Sequence, residues 1–374
     1  MKKSLLTLAV LAFAAPAFAQ LGGLGGAMKK AQQVQDQKKK FDDLNVTEEE
    51  ERTIGEGVSE KVRARFGVAQ DPAVHKYVTL VGTALAQQSE RPKLDWRFIV
   101  LDTDGVNAFA SPGGIVHITR GALGLIKNEA ELASVLAHEI GHVAHKHTVN
   151  AIRKNKAVQL GTSETLSNRG PFLDQIANKA YEMVLENAFD RGDEMDADAV
   201  SVTLTQKLGY ASGSLADFLT RLDDRNKDQP ERNGLFASHP ETKERIAKIK
   251  ASAGTKPGVT VEARYKEHIK YQPTPITSIA TVVDGSAGLT GSTKSGDKAD
   301  DKNAKKEEEP KKKGFGLSNL SKSSSSDKQT AQVSASGGAR GVGPDRAAKG
   351  GGNPALVKVT VSAAEVETFK KGIA

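Results

Sequence analysis

Residues 129–148 read EAELASVLAHEIGHVAHKHT, and the fold turns on them. Asn128 followed by Glu131 has the spacing of a helix start, with a short polar side chain placed to accept from the first free N–H groups. Leu132, Val135, Leu136, Ile140 and Val143 then recur every three or four residues. That period predicts a long helix from about Glu129 to Arg153 with an apolar face. At its centre stands His138-Glu139-Ile140-Gly141-His142, an HExxH pattern. Side chains at i and i+4 share a helix face, so His138 and His142 point the same way and can take two corners of a zinc tetrahedron. Glu139 lies one residue round, beside the ion rather than on it, where a carboxylate can deprotonate a zinc-bound water. Neutral imidazole suits zinc, and an open fourth position suits catalysis.

Such a pair needs a third ligand. A metzincin would carry Gly at 145 and His at 148; this chain has His145 and Thr148. There is no cysteine, which removes thiolate sites, disulfide scaffolds and cysteine nucleophiles together. A carboxylate from another helix remains. Residues 189–198 read FDRGDEMDAD, and Glu194 and Asp198 again stand at i and i+4. One can ligate while the other buttresses a ligand histidine through its free ring N–H.

Outward from this centre, Thr47 with Glu50 forms a capping box for a helix to about Arg65. Asp71-Pro72 opens a second helix with Val74, Tyr77, Val78, Val81 and Leu85 on one face. Trp96–Leu101 and Gly114–Thr119 read as strands on either side of a Ser111-Pro112-Gly113 turn. Further helices fit Ala177 to about Lys207, Leu215–Leu222 and Glu241–Ala251. From about Gly285 to Gly352 the chain turns to Ser, Gly, Lys, Asp and Glu, including KKEEEPKKK, with Phe315 as its one aromatic. Such a composition cannot bury enough apolar surface to offset ordering entropy. VKVTV and a Ser362/Glu365-capped helix follow, either docked on the body or tethered.

Residues 1–20, MKKSLLTLAVLAFAAPAFAQ, pair a basic start with an apolar run and a small-residue site, Ala17-Phe18-Ala19. This is the pattern of an export signal cleaved after Ala19, and the expected compartment is a bacterial periplasm. No later run approaches the length of a membrane span. The formal charge of +7 falls to +5 without Lys2 and Lys3. No basic run is interleaved with aromatics, so nucleic acid is not an expected partner.

The ordered motifs resemble those of the HtpX, CAAX prenyl protease and Oma-type zinc metallopeptidases, most of all their soluble periplasmic members of the BepA kind. The resemblance runs from about Glu48 to Ala251. It rests on Asn107-Ala108-Phe109-Ala110 with Pro112-Gly113-Gly114, Glu131-Leu132-Ala133, the HEIGH block with His147, Arg191-x-x-Glu194-x-x-x-Asp198, and His239-Pro240 with Arg245-Ile246. It departs where the family often has Glu-Ala-Asp and this chain has Asp196-Ala197-Asp198. The resemblance implies Glu194 as third ligand to one Zn2+ per chain, with Asp198 and Arg191 behind the ligands. It implies that substrate adds as an extended strand to Asn107, Ala108, Phe109 and Ala110. His239 would approach the zinc, as a fourth ligand that blocks the site or as a stabiliser of the oxyanion. Arg245 pairs with a ligand-side carboxylate or sits in a surface ion pair. His147 has a structural role and His145 is solvated; His75, His117 and His268 carry no reading.

The expected fold is α+β, a mainly helical zincin-type (gluzincin) metallopeptidase with a small sheet and a largely disordered C-terminal tail. Its parts are a signal peptide at 1–19, an entry segment at 20–46, the peptidase domain at 47–253, a peripheral extension at 254–284, a disordered linker at 285–352 and a strand–helix element at 353–374. The expected function is zinc-dependent endopeptidase (EC 3.4.24 type) action on unfolded or misassembled envelope proteins, with the outer-membrane assembly machinery as a partner. The rival reading is a periplasmic chaperone or assembly factor whose zinc site His239 blocks.

Overall fold

A computed structural model of the chain describes residues 46–159, 169–186, 189–227, 239, 242–255, 257–281, 344–345 and 347–373. The expected signal peptide, nearly all of the entry segment, and most of the expected linker, 285–343, lie outside the described residues.

Helix α1 (Glu48–Phe66) starts at the Thr47/Glu50 capping box, and α2 (Pro72–Ala86) at Asp71, whose side chain accepts from the N–H groups of Ala73 and Val74. Strands β1 (Arg97–Leu101), β2 (Ala108–Ser111) and β3 (Ile115–Thr119) form a sheet in the order β1-β3-β2. β1 runs parallel to β3, and β2 antiparallel to it, with Phe109 opposite His117. Gly113, at φ +78°, makes the turn from β2 to β3 in a region that only glycine enters without strain. After α3 (Arg120–Leu125) comes α4 (Glu129–Ala144), every residue of which is buried.

An all-buried helix cannot be an amphipathic surface helix, and α4 is the axis on which the rest packs. Sheet and α2 lie against it, and α7 (Arg191–Leu208) packs along it more extensively than any other element pair. Gly141 permits that approach. A Cβ there would stand 3.1 Å from Ala197 Cα and 3.1 Å from Val200 Cβ, so a side chain would push α7 away. Ser201 Oγ adds a bond to the Ser134 carbonyl at 2.7 Å. The buried charge of Glu129 is met by Tyr77 Oη at 2.7 Å, Tyr210 Oη at 2.6 Å and Arg264 Nε at 2.6 Å.

Two expected helices are each interrupted. The helix expected from Glu129 to Arg153 stops at Ala144, and α5 (His147–Gln159) begins after a turn at His145 and Lys146. The helix expected from Ala177 to Lys207 is two, α6 (Arg169–Glu186) and α7, because Asp190 caps α7 by accepting from the Asp193 N–H. Apolar spacing runs through both breaks, so periodicity does not expose them. α8 (Ser214–Asn226) and α9 (Thr242–Ala253) match their expected positions, and α10 (Glu262–His268) follows.

The C-terminal element docks on the body. α11 (Ala363–Lys371) starts at the expected Ser362/Glu365 box and packs on α2. The Arg264 guanidinium lies 4.1 Å from the Phe369 ring centroid. The strand expected at VKVTV does not form: residues 353–361 run without a sheet partner. The polar stretch is held before its expected end, since Asp345 is buried against Arg225 and accepts from the Val106 N–H at 3.2 Å. The Gly351 N–H reaches the Asp102 carbonyl at 2.8 Å. Composition could not foresee this, because main-chain bonding to a partner surface requires no apolar residues.

His117 is fully buried on β3, with Nε2 3.0 Å from Ser59 Oγ. Burial pushes its imidazole down to about 3. The unfolded chain therefore binds a proton near pH 6.5 that the folded chain refuses until far lower pH. This contribution is complete above about pH 6.5 and is lost as pH falls from there toward about 3. Between pH 7 and pH 4 wild type should lose roughly 3 kcal/mol through this group alone. A His117→Gln variant, compared by urea unfolding at both pH values, should show that much less acid sensitivity; equal sensitivity would remove His117 as the cause.

Candidate metal centre

On α4 the i, i+4 spacing does what its geometry dictates: His138 Nε2 and His142 Nε2 lie 3.1 Å apart. The close crossing at Gly141 carries Glu194, in the first turn of α7, to the same point. Glu194 Oε2 is 3.5 Å from His138 Nε2, and Glu194 Oε1 is 3.4 Å from His142 Nε2. His239 enters from a remote segment, with Nδ1 3.3 Å from His138 Nε2 and 2.7 Å from Glu194 Oε1. All four side chains are buried. Donor atoms from His138, His142, Glu194 and His239 fall within 4.8 Å of one another.

This donor set fits a divalent ion. Three ring nitrogens and a carboxylate, the donor types zinc takes, converge on one point, and the buried Glu194 Oε2 has no hydrogen-bond partner among the described residues. A tetrahedron with metal–ligand bonds of about 2.0–2.1 Å has edges of about 3.3–3.4 Å. The separations of 3.1, 3.3 and 3.4 Å among His138 Nε2, His142 Nε2, His239 Nδ1 and Glu194 Oε1 lie close to that, while His239 Nδ1 to Glu194 Oε1, at 2.7 Å, is a hydrogen-bond distance. The electrostatics agree. Burial would lower the His138 imidazole, but Asp198 and Glu194 outweigh it and hold it up at about 9. A point that retains a proton so firmly is one where positive charge is stabilised. Burial would raise the Glu194 carboxyl, yet His239 and Arg245 keep it well below the ordinary carboxylate range, so it stays anionic.

Glu139 points beside the cluster. Its Oε1 is 3.9 Å from His239 Nε2 and has no hydrogen-bond partner among the described residues. Burial pushes its carboxyl up. Behind the ligands, Asp198 Oδ1 is 3.0 Å from His138 Nδ1, out of line for a straight N–H···O bond. Arg245 Nε and Nη2 bind the two Asp198 oxygens at 2.8 and 2.7 Å, and Nη1 lies 2.8 Å from Glu194 Oε2. Burial raises the Asp198 carboxyl, but Arg245 and His138 bring it down to about 2. The sequence left two positions open for Arg245; it is the buried one. Arg191, expected behind the ligands, is more than half exposed and pairs with Glu244 instead. Its place at the start of α7 turns it toward α9.

Asn107, Ala108, Phe109 and Ala110 run to the sheet edge, as expected of a strand-accepting segment, but all four are buried, against α1, α4 and α6. Ala110, Ser111 and Pro112 line a narrow cleft with His142. A second cleft, lined by Val135, Leu215 and Leu219, opens on Glu139 and His239.

Two features escaped sequence reading. Phe189 lays its ring 4.2 Å from that of His142. Lys146 adopts φ +57°, a conformation that strains a non-glycine residue by about 1–2 kcal/mol. Lys146 Nζ is 3.0 Å from Glu51 Oε2, and its N–H bonds the Val143 carbonyl at 3.1 Å. Neither has a local signal, since each depends on a partner distant in sequence or on a main-chain turn without glycine.

Residues 72–253, which hold all four candidate donors, match the profile of Peptidase family M48. These residues are an M48 peptidase domain. The M48 domain's relatives include the beta-barrel assembly-enhancing protease of Yersinia pestis, 27% identical over 203 residues, 51% of this chain and 41% of that protein. The protein of the same name in Escherichia coli K12 is 23% identical over 210 residues, 53% of this chain and 42% of that protein. Mitochondrial metalloendopeptidase OMA1 of Schizosaccharomyces pombe is 26% identical over 218 residues, 57% of this chain and 63% of that protein. The chain thus matches less than half the length of the two assembly-enhancing proteases. The M48 domain begins at α2, so α1, which packs on β2 beside the site, lies before it. No described helix is long and apolar enough to cross a membrane.

Proposed function

We propose that this chain is a zinc-dependent endopeptidase of the bacterial periplasm that hydrolyses unfolded or misassembled envelope proteins. The observation that carries the reading is the convergence of His138, His142 and Glu194 from two helices, with the buried Glu139 carboxylate beside them. His138, His142 and Glu194 hold the metal. Bound zinc supplies a Lewis acid and makes water acidic enough to react near neutral pH.

Glu139 accepts the proton of the attacking water and returns it to the leaving amine. Burial brings its carboxyl toward the range in which one group can do both. Asp198 orients His138, and Arg245 holds Asp198 and Glu194 apart and anionic. His239 stands among the donors in the resting arrangement and yields to substrate, where its ring can donate to the developing oxyanion. The apolar wall of Val135, Leu215 and Leu219 receives a substrate side chain next to Glu139. An extended substrate pairs with Asn107–Ala110 through its main chain, which tolerates many side chains and suits unfolded polypeptides. That strand is buried in the resting arrangement, so pairing requires its covering helices to shift.

The names of the bacterial relatives support an envelope substrate and the outer-membrane assembly machinery as a partner. The export signal at 1–19 supports the compartment, and mature protein should begin at Gln20. The decisive experiment is metal analysis of the mature protein together with casein hydrolysis. Expected are about one zinc per chain, hydrolysis abolished by chelator and restored by zinc. Hydrolysis indifferent to chelator, or protein that takes up no zinc, would end this reading.

A further inference from the structure

We infer that His147 and Asp196 form a positioning chain behind His142, which fixes the tautomer and orientation of that ligand; this rests on the metallopeptidase reading. His147 Nδ1 lies 3.0 Å from His142 Nδ1, and His147 Nε2 lies 3.1 Å from Asp196 Oδ2. The proton inventory assigns each nitrogen. A His142 that gives its Nε2 lone pair to a metal carries its proton on Nδ1. Only one hydrogen fits between two ring nitrogens at 3.0 Å, so His147 Nδ1 accepts. His147, neutral, then carries its own proton on Nε2, the nitrogen that faces Asp196 Oδ2 at 3.1 Å, out of line for a straight hydrogen bond, and Asp193 Oδ1 at 3.7 Å.

The chain thus runs from metal to His142 to His147 to carboxylate. A carboxylate at the far end makes each imidazole in turn a stronger donor of electron density. Asp198 lies directly against His138, with Oδ1 3.0 Å from its Nδ1. Glu194, Asp196 and Asp198 therefore all serve the centre: one toward the metal, one through His147, one on His138.

The same inventory decides against a second metal. His145, His147 and Asp196 could hold an ion by their spacing alone. That ion would need the lone pair of His147 Nε2, which moves the proton to Nδ1, where it would face the Nδ1–H of His142 across 3.0 Å. His145 instead shares Asp196 as a hydrogen-bonded neighbour.

The backbone is built for this contact. In an unbroken helix, residues five apart stand about 140° round from each other, and His147 would face away from His142. The left-handed turn at Lys146, held by Glu51, brings the ring back. The Asn150 side chain adds a bond to the His145 carbonyl at 3.0 Å.

The test is zinc affinity of the full chain, by competition with a chromophoric chelator, with the visible spectrum of the cobalt-substituted protein as a second readout. His147→Leu should weaken zinc by about 10–100-fold and shift the cobalt bands. His147→Gln should restore most of both, because its amide oxygen can accept from His142 and its amide nitrogen can donate to Asp196. Asp196→Asn, at a side chain 45% exposed and so harmless to folding, should lose affinity in the same direction by less. Equal affinities for wild type, Asp196→Asn and both His147 variants would overturn the assignment alone, as would a Gln variant no better than Leu. Wild type that binds no zinc would overturn the peptidase reading and this assignment with it.

Discussion

Glu139→Gln should lower peptide-bond hydrolysis by about 10²–10⁴-fold, the range of a lost general base, while bound zinc stays at the wild-type level. The two halves of that expectation come from different atoms. The donors that converge belong to His138, His142, Glu194 and His239, and Glu139 is not among them. Replacing a carboxylate by an amide of the same shape leaves those donors in place. It removes the only feature the mechanism takes from Glu139, an anionic oxygen that can accept and return a proton. Folding should not suffer either. Glu139 is buried with an oxygen that no described residue satisfies, so a neutral amide is desolvated there more easily than a carboxylate. The variant should therefore melt at or above the wild-type temperature. Initial rates on casein, metal content and a thermal melt measured on one preparation check all three. An active variant would unseat Glu139 as the base, and loss of zinc would make it a ligand.

Arg245→Met should destabilise the metal-free protein by about 3–5 kcal/mol, the range seen when a partner is removed from a buried ion pair. Arg245 is 2% exposed and neutralises two carboxylates at once, Asp198 through two hydrogen bonds and Glu194 through an ion pair at 2.8 Å. Without it, the two buried anions of Asp198 and Glu194 keep only the protonated His138 imidazole between them among the described residues. Zinc supplies that missing charge, so saturating zinc should recover part of the loss. Arg245→Lys keeps the charge but cannot span both carboxylates with one planar fork, and should fall between. Urea unfolding of the three proteins, with chelator and with zinc, measures the ordering. A loss under about 1 kcal/mol without metal would place Arg245 among weak surface pairs after all.

How much of this was legible in the sequence differs from element to element. The start of α1 at Thr47, of α2 at Asp71, of α4 at Asn128 and of α11 at Ser362 were all readable, because a cap is a contact between residues three apart. The break in α4 was not. Leu132 to Val143 and on through Val149 keep helical spacing, and Lys146 is an ordinary helix former. It leaves the helix at φ +57° and pairs with Glu51, almost a hundred positions earlier. Arg191 and Arg245 show the same division. Both are arginines near an acidic stretch, and their sequence neighbourhoods do not say which one is buried against the ligands.

What the chain determined by itself was the chemistry available. Two imidazoles share a face, a carboxylate stands one step round, and a second pair of acids stands at the same spacing elsewhere, because helical periodicity is a property of the local backbone. Only the tertiary structure decided that these meet. Gly141 leaves room for α7 to bring in Glu194, the turn at Lys146 swings His147 onto His142, and Arg245 closes the charge balance from α9. Separations between distant segments are set by which surfaces pack and how closely, and that information is spread over the whole core rather than written beside the residues it positions.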